Sequence, residues 1–242
     1  MSPSASDQSS SSDRLTANNP MHLRDLTQFL AELSENNNRA WFVMNKPRYD
    51  ILRAEFLELV TGLIVTMTRF DPLVADCNPK KALFRINRDM RFSHVKIPYK
   101  TTFSAAIIPN GMKKPSQGGG PSYYFQVDAA GNLLVAGGEY MPPADRLRLI
   151  RQHVIADPGG LAKVLRNKNF TTRYGGLQQE GKLTRPPKGF DADEPQIEII
   201  KLKNFIAWSA TSLASTTAAT LEDDIASALR DVQPLIQWLR QA

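Results

Sequence analysis

The sequence predicts an α+β fold: an antiparallel sheet flanked by amino- and carboxy-terminal helices. Three observations predict it. Apolar residues recur at helical spacing before Phe70 and again after Pro142. The segments between them are short and rich in β-branched and aromatic residues. Two of those segments are joined by Ala129-Ala130-Gly131, a connection too short for a parallel crossover.

The elements follow in order. His22–Ser34 carries Leu23, Leu26, Phe29, Leu30 and Leu33 on one stripe, and Asn36–Asn38 ends it and supplies a cap for the next helix. That helix opens at Arg39-Ala40-Trp41-Phe42, and Pro47 kinks or restarts it. From Tyr49 the stripe Leu52, Phe56, Leu59, Leu63 and Met67 continues to Phe70, where Asp71-Pro72 stops it. Strands are expected at Leu83–Asp89, with Phe84 and Ile86 inward and Arg85, Asn87 and Asp89 outward, and at Thr102–Ile108, Ser122–Asp128 and Asn132–Ala136. Lys113–Pro121 reads as a loop. Pro142-Pro143 starts a helix with Leu147, Ile150 and Val154, and Asp157-Pro158 starts a shorter one through Leu165. Residues Gly175–Pro195 are mostly irregular, and Lys203–Ser209 reads as a further strand. A last helix is expected from Thr220, with Thr220 and Asp223 as a capping box and Leu221, Ile225, Leu229, Val232, Ile236 and Leu239 as its stripe. The domain is expected to span Met21–Gln241. Residues Met1–Asn19, rich in Ser, Asp and Asn, are expected to form a disordered tail ending by Pro20.

Composition narrows the class. With 42% hydrophobic residues the chain can bury a core. No apolar run reaches the length of a membrane span, and the amino-terminal segment has neither the apolar stretch of a secretory signal nor the basic character of a transit peptide. Cys77 is the only cysteine, so no intramolecular disulfide forms; a reducing, cytoplasmic setting is expected. Neither a Gly-x-Ser-x-Gly elbow nor a Cys-x-x-Cys pair occurs. His22, His94 and His153 are too scattered for a zinc motif, and no cofactor or metal is implied.

The formal charge is +6, and one segment accounts for it. Lys80–Lys100, KKALFRINRDMRFSHVKIPYK, holds Lys80, Lys81, Arg85, Arg88, Arg91, Lys96 and Lys100 against the single acid Asp89. Concentrated cationic charge attracts anions. Arginine suits bidentate contact with phosphate or carboxylate, Lys96 and Lys100 add point charges, and Ser93, Tyr99 and Thr101 supply hydroxyls. The ligand-binding candidates are therefore Arg85, Arg88, Arg91, Ser93, Lys96, Tyr99 and Lys100. Asp89, Glu139 and His94 are the candidates for acid–base chemistry, Glu139 because it follows Gly137-Gly138, where backbone approaches a ligand closely. The alternative is a structural network in which the arginines pair with Asp89, Asp128 or Glu139, and Glu139 is a salt-bridge partner. Gly118-Gly119-Gly120 lacks the spacing of a phosphate-binding loop and reads as a flexible connection. Tyr123, Tyr124 and Phe125 either pack in the core or stack on bases, and alternation sends Tyr124 to the opposite face from its neighbours. Trp41 and Phe42 read as a packing edge.

The string FRINRDMRFSHVKIPYKT resembles the signature of a bacterial and fungal family known as a domain of unknown function. The shared residues are Phe84, Arg85, Ile86, Arg88, Asp89, Arg91, Phe92, Ser93, Lys96, Pro98, Tyr99, Lys100 and Thr101. NNNRAWF, PSYYFQV, GGEYMPP and PPKGF are similar too, so the resemblance spans roughly Met21–Leu239. Asn87 stands where the family has an aromatic residue, and His94 and Ile97 replace polar ones. The resemblance implies no activity. The expected partner is a phosphorylated or otherwise anionic small molecule; the alternatives are nucleic acid on the same basic surface, or a structural or protein-interaction role.

Overall fold

The computed structural model describes residues 21–89, 97–109 and 120–242. The fold is α+β. Helix α1 (Leu23–Glu35) buries Leu26, Phe29, Leu30 and Leu33, the stripe its periodicity predicts. Asn38 caps α2 (Arg39–Met44), its side-chain oxygen accepting from the Trp41 N–H. Pro47 lies in the first turn of α3 (Lys46–Met67), where a missing N–H costs nothing, so it restarts the helix rather than kinking it. The chain then turns through the 3₁₀ segment Pro72–Val74 and the short α4 (Pro79–Ala82).

Four strands among the described residues form one antiparallel sheet in chain order: β1 (Thr102–Ile107), β2 (Ser122–Asp128), β3 (Asn132–Glu139) and β4 (Phe205–Ser212). The β2–β3 turn is closed by Asp128, whose Oδ1 accepts from the N–H groups of Ala130 and Asn132, with Gly131 at φ +74°. Two strands run beyond their expected ends, β3 to Glu139 and β4 to Ser212.

Leu83–Asp89 is not a regular strand. It makes isolated bridges, Leu83 with Ala105 and Asn87 with Tyr99, and its backbone bonds run to Ser104 on one side and to Pro98 and Lys100 on the other. The alternation holds only in part: Ile86 is buried and Arg85, Asn87 and Asp89 are exposed, but Phe84, expected inward with Ile86, is half-buried and lines the opposite sheet face, and Leu83 is buried in its place. A strand needs a partner in register along its length, and without one the period-two alternation is not kept.

Between β3 and β4 come α5 (Ala144–Ala156), α6 (Pro158–Leu165, capped by Asp157), α7 (Lys168–Tyr174) and α8 (Ile197–Ile200). The final helix, α9 (Ala218–Leu239), starts earlier than the sequence predicts. Its cap is Thr217, not Thr220, and the reciprocal partner is Thr220, not Asp223. Thr-x-x-Thr performs the same exchange of side-chain and backbone bonds as the acidic box.

The core lies between one sheet face and helices α1, α3 and α9. Phe103, Ala105, Ile107, Tyr123, Phe125, Val127, Leu133, Val135, Phe205 and Ala207 all point that way and are buried. Helix α9 lies so close to β3 that a Cβ built on Gly137 would fall 2.4 Å from a Val232 methyl. A Cβ on Gly138, at φ +128°, would meet the Phe205 carbonyl oxygen at 2.1 Å. The two glycines thus serve close packing of α9 and β4. Among the described residues no helix is long and apolar enough to cross a membrane.

Candidate functional site

The opposite sheet face is left open by the helices. The positions on this face are set by register: Ser104, Gln126, Leu134 and Ala210 form one row, Ala106, Tyr124, Ala136 and Trp208 the next, and Ser122, Gly138 and Ile206 a third. Above these rows lies a groove of about 750 Å³. Phe84 borders it on the β1 side; Tyr140 and Met141 border it where the chain leaves β3, and Gln178, Glu180 and Asn204 on the β4 side. Its volume and mainly apolar wall with a few polar groups are those of small-molecule sites.

Local structure fixes this rim. Phe84 meets Tyr124 edge to face at 5.9 Å and 74°. The Tyr124 hydroxyl donates to Gln126 Oε1 at 2.7 Å. Burial raises the Tyr124 pKa, so the phenol stays protonated and remains a donor. The Gln178 N–H donates to the Ile206 carbonyl, which brings the irregular segment alongside β4. Met141 has φ +49°, a left-handed conformation uncommon for a side-chain-bearing residue, and its N–H donates to Asn204 Oδ1 at 2.7 Å. A polar side chain holds a strained backbone at the lip of the groove, as occurs at ligand sites.

The sequence candidates distribute unevenly around this groove. Lys100 Nζ stands 5.0 Å from the Phe84 ring centroid, so one cation of the basic segment reaches the groove's edge. Arg85 and Asp89 are exposed. Arg88 is exposed too, but its Nε donates to the Tyr99 carbonyl at 3.0 Å. Tyr99 packs as a core residue: its ring stacks on Phe42 at 4.1 Å, and its backbone N–H and carbonyl are both bonded by Asn37. Arg91, Ser93, His94 and Lys96 lie outside the described residues, as do Gly118 and Gly119.

Glu139 is placed elsewhere. It is 2% exposed, and both its oxygens accept from Arg146 Nε, at 3.0 and 3.1 Å. The same arginine donates to the Leu239 and Ala242 carbonyls. This is the salt-bridge alternative: Glu139 anchors the end of α9. Asp71 does likewise, 2% exposed, accepting from Arg240 and from the Tyr123 hydroxyl at 2.8 Å. His22 bonds Glu55 at 2.6 Å and His153 packs on Trp238. Among the described residues no three His, Cys, Asp or Glu side chains gather to hold a metal.

Sequence reasoning did not single out Trp208, Gln178, Glu180 or Asn204. Period-two alternation in Phe205–Ser212 places Trp208 opposite the buried Phe205 and Ala207, and was the available signal for it. No sequence signal brings Gln178 or Asn204 to the groove.

Together these features define an α+β protein with an aromatic groove on the uncovered face of its sheet. The chain belongs to the family described as Conserved hypothetical protein (DUF2461), whose model matches residues 25–238. No curated protein and no solved structure matches it.

Proposed function

We propose that this protein binds a small anionic molecule, with the ligand's apolar body in the open-face groove and its charge toward Arg85 and Lys100. The carrying observation is the position of Lys100 over Phe84, because that ring also lines the groove. Lys100 and the cavity therefore share an edge, where Coulomb attraction and apolar burial act on one molecule. The exposed guanidinium of Arg85, next in the chain, supplies a planar fork for phosphate or carboxylate.

The test is thermal stability in the presence of inorganic phosphate, benzoate and an aromatic phosphate ester, phenyl phosphate. A ligand at 100 times its Kd stabilises the fold by about 2.7 kcal/mol. Phenyl phosphate is expected to stabilise most, and Arg85→Ala with Lys100→Ala to remove the effect. Equal responses from wild type and double variant would overturn the reading.

Single-stranded nucleic acid is the second reading, favoured by the ring of Trp208, which is 42% exposed on the sheet face. It requires several displaced counterions, hence a log–log salt slope steeper than about −3. The small-molecule reading requires a shallow one.

A further inference from the structure

The row that crosses the middle of the open face is Ala106, Tyr124, Ala136, Trp208. It alternates small and large. Neighbouring strands are about 4.8 Å apart, so Tyr124 and Trp208 rise roughly 10 Å from one another with one methyl between. Both alanines are 2% exposed, which leaves the two rings rather than the methyls to floor the groove. The floor therefore carries two aromatic rings, with the aliphatic Leu134 and Ile206 beside them. Trp208 is 42% exposed and makes no ring contact with any described residue. A partly exposed tryptophan on the floor of a cavity is a stacking partner for something planar.

The rim beside Trp208 carries chemistry of a particular kind. Gln178 and Asn204 are amides, which donate and accept in one plane. Glu180 is the single charged residue lining the groove among the described residues, and it only accepts. An alkyl chain would leave the two rings without a stacking partner and these polar groups unused. A ring with nitrogen acceptors and an N–H or amino donor on its edge would use both. The cation Lys100 lies across the sheet, on the β1 side, and the amides lie on the β4 side.

We propose that the groove takes a planar nitrogen heteroaromatic ring of nucleobase type, stacked on Trp208 and Tyr124, with its polar edge toward Gln178, Asn204 and Glu180 and an anionic substituent toward Lys100. This rests on the groove being the ligand site of the function proposed above, and it specifies the ring that site holds.

The test uses the full chain, with isothermal titration and tryptophan fluorescence as separate readouts. The probes are adenosine, the 5′-monophosphates of adenosine, guanosine and cytidine, ribose 5-phosphate and a short oligoadenylate. At least one monophosphate is expected to bind and to quench fluorescence. Trp208→Phe keeps a stacking ring, so it should retain binding heat while losing the quench; Trp41 and Trp238 then serve as internal controls. Trp208→Ala should weaken binding tenfold or more, as loss of base stacking does. Ribose 5-phosphate binding as tightly as every monophosphate would overturn the ring and leave the anion reading standing. Adenosine binding as tightly as its monophosphate would support the ring and overturn the anion. An oligoadenylate far tighter than the monophosphate, with a steep salt slope, would support the ring chemistry with nucleic acid as its source. No binding of any ring compound at millimolar concentration would overturn the inference.

Discussion

Gly137 is a residue of β3 against which α9 packs closely. A methyl there would lie 2.4 and 2.8 Å from the two Val232 methyl groups, and Val232 is fully buried. Gly137→Ala is expected to cost about 1–3 kcal/mol by overpacking. Combining it with Val232→Ala should cost less than the two single changes added together, as read by urea denaturation; strict additivity would deny the contact. Asp71 is a second such residue. Its carboxylate compensates the guanidinium of Arg240 in a largely buried setting, so Asp71→Ala is expected to cost about 3 kcal/mol or more. Tyr123→Phe removes one hydrogen bond to the same carboxylate and should cost about 1 kcal/mol. Burial raises the pKa of Tyr123, with Asp71 adding to the effect, and burial raises that of Tyr174, whose hydroxyl donates to the Ala228 carbonyl. The sign is definite. A folded pKa above the ordinary value of 10.0 gives stability fully present below that pH and lost as pH rises beyond it. Unfolding should therefore accompany tyrosinate absorbance in alkaline titration, and Tyr174→Phe should move the alkaline midpoint upward.

Among the elements, helices were the most legible, because a helix declares itself through contacts three and four residues apart. The stripes of α1 and α9 are buried as their spacing predicts, and the caps Asn38 and Asp157 stand where Asn and Pro punctuation placed them. The start of α9 was misplaced by three residues because Thr217 and Thr220 both suit a cap, and the backbone turn that chooses between them is not a local preference. Thr217→Ala should lower stability by about 1 kcal/mol, whereas Asp223→Ala should stay within about 0.5 kcal/mol. Comparing their thermal midpoints decides which box operates. Helix α7 escaped notice because KNFTTRY is short and rich in residues of weak helix preference. It holds its place by burying Phe170 and Tyr174. Leu83–Asp89 shows the converse, an alternating pattern whose neighbours bond it only at separate points.

At the scale of the whole molecule, charge and cavity have to be considered together. The basic segment carries the chain's net charge, yet among its described residues Arg88 Nε is committed to a backbone carbonyl, Tyr99 is packed in the core, and Lys100 stands at the groove's edge. An oligonucleotide titration against salt distinguishes the outcomes for the intact protein: a slope shallower than about −2 is expected of a pocket that neutralises one or two phosphates. By itself the sequence determined the class of fold, the buried stripes of the long helices and the concentration of charge, since these follow from periodicity and composition within short windows. Only the tertiary structure decided that Glu139 closes on Arg146, that Gly137 makes room for Val232, and that Tyr124 and Trp208 floor one groove. Those pairs lie 7, 95 and 84 positions apart in the chain. Their distances are set by sheet register and helix docking, which no local preference encodes.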